Sequence, residues 1–180
     1  NLGLEDLGIE TEAGAIKTDN FNRTNIENIY AIGDVCGPPW LAHVASAQGH
    51  LAAEHLAGLN VNPIDYSNIP GCTYCQPQVG SLGMTEEQAI SSGFKVQVGR
   101  FSFQASGKAM ATGNTIGFVK LILDEKYGEL LGAHIVGSEA TEMIAELGMA
   151  KALESTWDDL SMTVHAHPTL SEAIMEAAMD

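Results

Sequence analysis

The run GFVKLILDEKYGELLGAHIVG, residues 117–137, constrains the chain more than any other. Two apolar stretches flank Lys126-Tyr127-Gly128, and a glycine-bearing break between such stretches signals a hairpin. A hairpin makes its strands antiparallel neighbours, so a sheet grown around it is antiparallel at its centre. FKVQVGRFSF (94–103) alternates with period two, as a half-buried strand does. CTYCQPQVGSLGM (72–84) reads as a further strand, interrupted by Pro77. TEEQAISSG (85–93) is a short helix with Thr85 as its cap and Gly93 as its stop. SEATEMIAELGMAKAL (138–153) is a longer one, capped by Ser138 with Glu142 in its first turn. TWDDLSMTV (156–164) and TLSEAIMEAAMD (169–180) complete the set, the last beginning just after Pro168. Strands followed by helices, without regular βαβ alternation, define an α+β fold with an antiparallel sheet and helices.

The first third has a different character. NIYAIGD (28–34) is a short apolar run ending in Gly-Asp, the pattern of a buried strand leaving a sheet. WLAHVASAQGHLAAEHLAG (40–58) is an alanine-rich helix that stops at Gly58. NVNPIDYSNIPG (60–71) gathers Asn, Pro and Gly and marks a boundary, giving units 1–65 and 66–180. The opening NLGLEDLGIETEAG starts at Asn1 and is neither cationic nor apolar enough for a signal peptide. It reads as the middle of a longer chain.

Composition narrows the function classes. The 180 residues are 45% hydrophobic, enough for a packed core. No stretch reaches the roughly 18 continuous apolar residues of a membrane span, so no membrane partner is expected. Eight Lys+Arg against 23 Asp+Glu give a formal charge of −15, which argues against nucleic acid. The excess reads as a solvated acidic surface; a patch that docks a basic partner is the narrower alternative. Three cysteines, Cys36, Cys72 and Cys75, are too few and too odd in number for a secreted disulfide scaffold and indicate a reducing compartment.

Two segments carry candidate chemistry. In HAHPTLSE (165–172), His167 is the side chain type best suited to moving a proton near neutral pH. A carboxylate on one ring nitrogen leaves the other as acceptor and stabilises the imidazolium, and Glu172, five residues on, is placed to supply it. A bond to proline can be cis, which would fix the backbone direction. The bland alternative is a surface turn before a helix that Thr169 or Ser171 caps, with Glu172 favouring the helix N-terminus. His165 and His167 face one side of an extended segment, yet zinc needs a third and fourth ligand, and nothing brings His43, His50, His55 or His134 to them; no metal is expected. Cys72-Thr-Tyr-Cys75 is not followed by a helix start, so the two cysteines read as small strand residues. In TNIENIYAIGDVCG (24–37), Gly33 allows close approach to a ligand, and Asp34 stands at a strand's carboxyl end, where it could accept from a sugar hydroxyl. The helix starting near Trp40 would aim N–H groups and its positive end at anything bound there. A plain Gly-Asp turn between strand and helix remains the alternative.

Taken together, these segments resemble a known family. TNIENIYAIGDVCG…LAHVASAQG resembles the second flavin-binding motif of the flavoprotein pyridine nucleotide-disulfide oxidoreductases. HAHPTLSEA resembles the C-terminal active-site motif of the members that oxidise dihydrolipoamide; glutathione and trypanothione reductases share its His-Pro-Thr core but not, as a rule, the full run. YCQPQVGSLGMTEEQA (74–89) is similar to the opening of the family's interface, or dimerisation, domain. The resemblance spans essentially the whole chain. It implies the last segment of an FAD-binding α/β domain over 1–65, then the interface domain over 66–180. It implies transfer of electrons from protein-bound dihydrolipoamide through a reactive disulfide and FAD to NAD, in a homodimer. The lipoyl group would be carried by the acyltransferase of a 2-oxo acid dehydrogenase complex or by a glycine cleavage lipoyl protein. The setting would be cytoplasmic, or the mitochondrial matrix in a eukaryote. By position, His167 would be the base that serves the partner's flavin site and Glu172 would hold its ring. Asp34 would bind the FAD ribityl chain, and Trp40, Leu41, Ala42 and His43 would lie against the flavin. Trp40 stands where methionine is often found. No G-x-G-x-x-G and no pair of cysteines spaced by four residues is present, so this stretch alone should not turn over. A stand-alone dimerisation module without catalysis and another disulfide reductase of the family are the competing readings.

Overall fold

The structure, a computed structural model, describes residues 2–180. It forms two units, one ending at Tyr66 and the other spanning Ser67–Asp180.

In the first unit, β1 (Thr11–Glu12) and β2 (Ala15–Ile16) make a hairpin that the sequence reading did not foresee. Its two-residue turn is Ala13-Gly14, both at positive φ, which suits the twist of paired strands. Ile9, Ile16 and Ala31 form a small core with Leu4, Ile26, Ile29 and Cys36 packed against it. The strand expected over 28–34 does not form. Tyr30 makes an isolated bridge to Arg23, and Gly33–Cys36 is a 3-10 turn. A strand is defined by its ladder, and this segment has a single bridge among the described residues. Helix α1 (Ala42–Leu56) does form, with Val44, Gln48, Leu51 and Ala52 as its buried stripe. It ends as expected, with Gly58 at φ 75 donating its N–H to the His55 carbonyl.

The second unit is a five-stranded antiparallel sheet in the order β3-β4-β7-β6-β5. Its strands are β3 (Gly71–Thr73), β4 (Gln78–Gly83), β5 (Val96–Ser102), β6 (Phe118–Asp124) and β7 (Leu130–Gly137). The β6–β7 hairpin is central, and β4 and β5 flank it. The segment 72–84 is two strands rather than one interrupted strand: the chain reverses over Tyr74–Pro77, and β3 pairs antiparallel with β4. Proline offers no N–H to a ladder, so the run breaks there. Cys75 consequently lies in the turn and is exposed, not on a strand.

Helices α2 (Glu86–Ser91), α3 (Gly107–Thr112), α4 (Ala140–Ala152), α5 (Trp157–Met162) and α6 (Glu172–Met179) complete the unit. Helix α4 packs on β4 and β7, and α6 packs on β5 and β6. Leu121, Leu123, Ile135, Ile144, Leu147 and Ile174 are all at most 1% exposed in the core between them. Each such side chain contributes about 1.5–3 kcal/mol on burial. Ala89, Ile122 and Leu131 form a smaller cluster with Met84 and Val96. Thr85 and Thr156 both make capping boxes, with Gln88 and Asp159. Ser138 does not cap α4. The N-cap is Glu139, at φ 62, and the first-turn N–H of Thr141 is taken by the side chain of Gln78 from β4. A tertiary acceptor thus does the work expected of a local one. Helix α3 was not foreseen, although Ser106 caps it by accepting from the Ala109 N–H and Gly113 stops it at φ 74.

Two helices reach the sheet where a strand lacks a side chain. A Cβ on Gly80 would stand 2.6 Å from the Ala140 carbonyl oxygen, and one on Gly99 1.8 Å from that of Ala177. Glycine to alanine in a strand interior ordinarily stabilises, by about 0.5–1 kcal/mol. Gly99→Ala should do the reverse and cost about 1–3 kcal/mol through overpacking, because α6 must lift from β5. Chemical denaturation of the purified variant checks the sign.

Candidate functional site

The expected base lies on the segment joining α5 to α6. His167 Nδ1 is 2.8 Å from Glu172 Oε1. An ionised carboxylate only accepts, so Nδ1 carries the hydrogen and donates it, leaving Nε2 of the neutral ring as an acceptor. The second carboxylate oxygen, Oε2, accepts the N–H of Thr169 at 2.8 Å. Thr169 Oγ1 donates to the Ala166 carbonyl at 2.7 Å, closing the turn on itself. The His167–Pro168 bond is cis. Glu172 is the first residue of α6, so its charge also sits at the positive end of that helix. Neither Thr169 nor Ser171 caps α6 with its side chain: Ser171 holds the N-cap position without such a bond, and α6 begins at Glu172 rather than directly after Pro168. The bland reading gave Glu172 too small a part, since its two oxygens serve the turn and the ring at once.

The exposure of the pair is unequal. The His167 side chain is 76% exposed and that of Glu172 24%. Gly107 of α3 flanks the ring, whose Cε1 would lie 3.9 Å from a Cβ placed there. The geometry therefore offers a tautomer-fixed imidazole to whatever reaches the surface from outside. The Thr169 N–H first, and the His167 ring second, hold the Glu172 carboxyl below its ordinary 4.5.

His165 and His167 do not face one side as their spacing suggested. His165 turns inward, with its Nε2 2.6 Å from Glu146 Oε1 on α4 and its Nδ1 2.9 Å from the Thr163 carbonyl. Among the described residues no group of three or more potential ligands comes together. Cys36, Cys72 and Cys75 are free thiols. Burial pushes the Cys72 thiol up, the opposite of what a reactive thiol needs.

In the first unit, Asp34 is exposed within the 3-10 turn Gly33–Cys36. Trp40, Leu41, Ala42 and His43 form the entry to α1, where Leu41 is the N-cap and Trp40 is 67% exposed. Gly33 sits at φ +75, and a Cβ there would press to 3.3 Å from Ala45 Cβ of α1. Its N–H donates to Gln48 Oε1 at 2.6 Å, and Gln48 Nε2 donates to Tyr66 Oη at 2.8 Å. Gln48 is 5% exposed. This buried amide ties the Gly-Asp turn to α1, a role the sequence reading missed. The signal was available: Gln48 is the polar member of the stripe Val44, Gln48, Leu51, Ala52. These residues fit the flavin that the resemblance implies. An exposed carboxylate can accept from ribityl hydroxyls, Ile32 and Trp40 present apolar surface, and the first turn of α1 has neither an acid nor a side-chain cap to compete for an electron-rich group.

Comparison with known proteins agrees with this layout. Residues 69–178 match the dimerisation domain of the pyridine nucleotide-disulphide oxidoreductases, and residues 1–49 match a second domain of that name. A dihydrolipoyl dehydrogenase of Rhizobium etli is 52% identical over 181 residues, covering 100% of this chain and 38% of that protein. One of Bacillus subtilis is 47% identical over 178 residues, covering 99% of this chain and 38% of that protein. Among solved structures, LpdA of Mycobacterium tuberculosis superposes with a TM-score of 0.93 at 28% identity, over 99% of this chain and 39% of its own. The HOCl-induced flavoprotein disulfide reductase RclA of Escherichia coli gives 0.92 at 29% identity, over 99% and 41%. The chain belongs to the pyridine nucleotide-disulphide oxidoreductase family, with an α+β dimerisation domain preceded by a short piece of the FAD-binding domain. It spans about two fifths of the length of the curated relatives it matches.

A lowered carboxyl contributes stability that is fully present above its ordinary value and is lost as the pH falls through the lowered one. Glu172→Gln should therefore be less stable than the parent above pH 4.5, and the gap should shrink as the pH falls below it. Denaturation midpoints of the two proteins across that range test this.

Proposed function

We propose that the chain is the C-terminal part of a dihydrolipoyl dehydrogenase, and that His167 is the base that takes a proton from a dihydrolipoamide thiol. The observation that carries the reading is the His167–Glu172 pair, 2.8 Å apart on a ring that is 76% exposed. Relatives at 47–52% identity that bear that name over nearly all of this chain support it. So does the full run HAHPTLSE.

On this reading Nε2 of His167 accepts the thiol proton, and the thiolate so formed exchanges with a reactive disulfide. Nδ1–H keeps its bond to Glu172 throughout, and the carboxylate stabilises the imidazolium. The Thr169 N–H and the turn hold Glu172 so that the ring stays aimed outward. FAD, when bound, supplies the two-electron relay between the disulfide and NAD. Asp34 would hold its ribityl hydroxyls, and residues Trp40 to His43 would line the ring. Residues 1–65 would close the FAD-binding domain, and 66–180 would form the interface domain of a homodimer in which the base serves the partner's flavin. The electron donor would be the lipoyl group of a 2-oxo acid dehydrogenase acyltransferase or of a glycine cleavage protein. The site of action would be the cytoplasm, or the mitochondrial matrix in a eukaryote. This stretch by itself would be inactive, since it contains neither a dinucleotide fingerprint nor a pair of cysteines spaced by four residues.

In the full-length protein, His167→Gln should cut dihydrolipoamide turnover by about 10²–10⁴ and leave flavin content and dimerisation intact. Wild-type turnover in that variant would overturn the base assignment. Asp34→Ala should instead release flavin, read as a fall in the flavin-to-protein absorbance ratio after gel filtration. A holoenzyme fully loaded after this substitution would sink the flavin role of Asp34.

A further inference from the structure

Residues 162–168 run over the surface, and every side chain in the segment is exposed except that of His165. The His165 side chain is 6% exposed. Both of its ring nitrogens meet oxygen acceptors: the Thr163 carbonyl at 2.9 Å from Nδ1, and Glu146 Oε1 at 2.6 Å from Nε2. A carbonyl oxygen only accepts, so Nδ1 must carry a hydrogen. One proton then lies between Nε2 and Glu146 Oε1, whichever atom holds it. The bond is charge-assisted in one assignment and a carboxylic acid donating to imidazole in the other, and both are strong and directional.

Glu146 belongs to α4, whose Met143, Ile144, Leu147 and Ala150 are buried in the core. The helix is thus a rigid mount. The Thr163 end of the segment is tied to α5, with its N–H and Oγ1 both donating to the Asp159 carbonyl. The far end is tied to α6 through Glu172. Between these ends, His165 is the inward anchor, two residues before His167. Glu146 also lines a cavity of about 400 Å³ together with Lys108, Glu142 and Pro168 to Ser171, so α4 and the turn that carries the base border one space.

We propose that His165 is a positioning residue: its contact with Glu146 holds the 163–168 segment against α4 and so aims His167. The inference rests on His167 acting as the base. It predicts that the effect of losing His165 passes through His167.

The test is a double-mutant cycle in the full-length flavoenzyme, comparing His165→Ala, His167→Gln and the two combined. His165→Ala should lower kcat about 10- to 100-fold, as a misplaced group near the chemistry does, with flavin content and the KM for NAD unchanged. His165→Gln, whose amide can still donate to Glu146, should restore most of the rate. In the His167→Gln background the further loss from His165→Ala should fall below about threefold, because groups acting as one unit are strongly non-additive. Glu146→Ala removes the same contact from the helix side and should repeat the pattern; it decides the matter if His165→Ala fails to yield a folded, flavin-loaded protein. Near-wild-type turnover in both His165→Ala and Glu146→Ala overturns the proposal. So does an undiminished loss in the His167→Gln background, which marks a structural role unconnected with the base. Wild-type turnover in His167→Gln alone is a different failure: it removes the base reading, and this inference with it.

Discussion

Helices α4 and α6 rest on the five-stranded sheet where Gly80 and Gly99 leave room for helix backbone against strand backbone. Close packing of this kind tolerates little displacement, because a single added methyl would overlap a carbonyl oxygen. The rest of the second unit depends on it. Helix α4 carries Glu146 and α6 carries Glu172, and the segment joining α5 to α6 is stretched between these two carboxylates. Each takes one histidine of the H-x-H pair. The spacing of the two helices on the sheet therefore sets where the exposed imidazole points.

The two histidines differ in what surrounds them rather than in kind. His165 has both nitrogens occupied and almost no exposure, so its protons are committed to holding the chain. His167 has one nitrogen committed to Glu172 and its ring in solvent, so the other nitrogen is available for chemistry. The first unit uses a similar device without charge: the buried amide of Gln48 takes the Gly33 N–H and reaches Tyr66, so that Asp34 can face outward on a turn that is held from behind. In both places a buried or half-buried polar group on a helix positions an exposed one on an adjoining turn.

Much of the second unit was legible because its signals are local. The β6–β7 hairpin announced itself through Lys126-Tyr127-Gly128, β5 through alternation, and α2 through Thr85 and Gly93. The errors came where a distant residue supplied what a neighbour was expected to supply. Ser138 had the right chemistry for a cap, but the N–H of Thr141 went to Gln78, 63 residues away. The segment 28–34 had the composition of a strand but found a single bridge partner among the described residues, and composition cannot form a ladder alone. His165 was read as facing the same way as His167, and the structure turns it inward onto Glu146, 19 residues back.

By itself the sequence determined the antiparallel α+β class and most helix limits, and it offered, among open alternatives, the pairing of His167 with Glu172 five residues on and a Gly-Asp turn before α1. All of these follow from periodicity, caps and short-range spacing, which a chain carries wherever it goes. Tertiary structure decided the partner of His165, the buried support of Gly33 by Gln48, the cap of α4 and the close seats of α4 and α6 on the sheet. Those contacts join residues far apart in the chain, and they exist only once hydrophobic burial has fixed which helix lies against which strand.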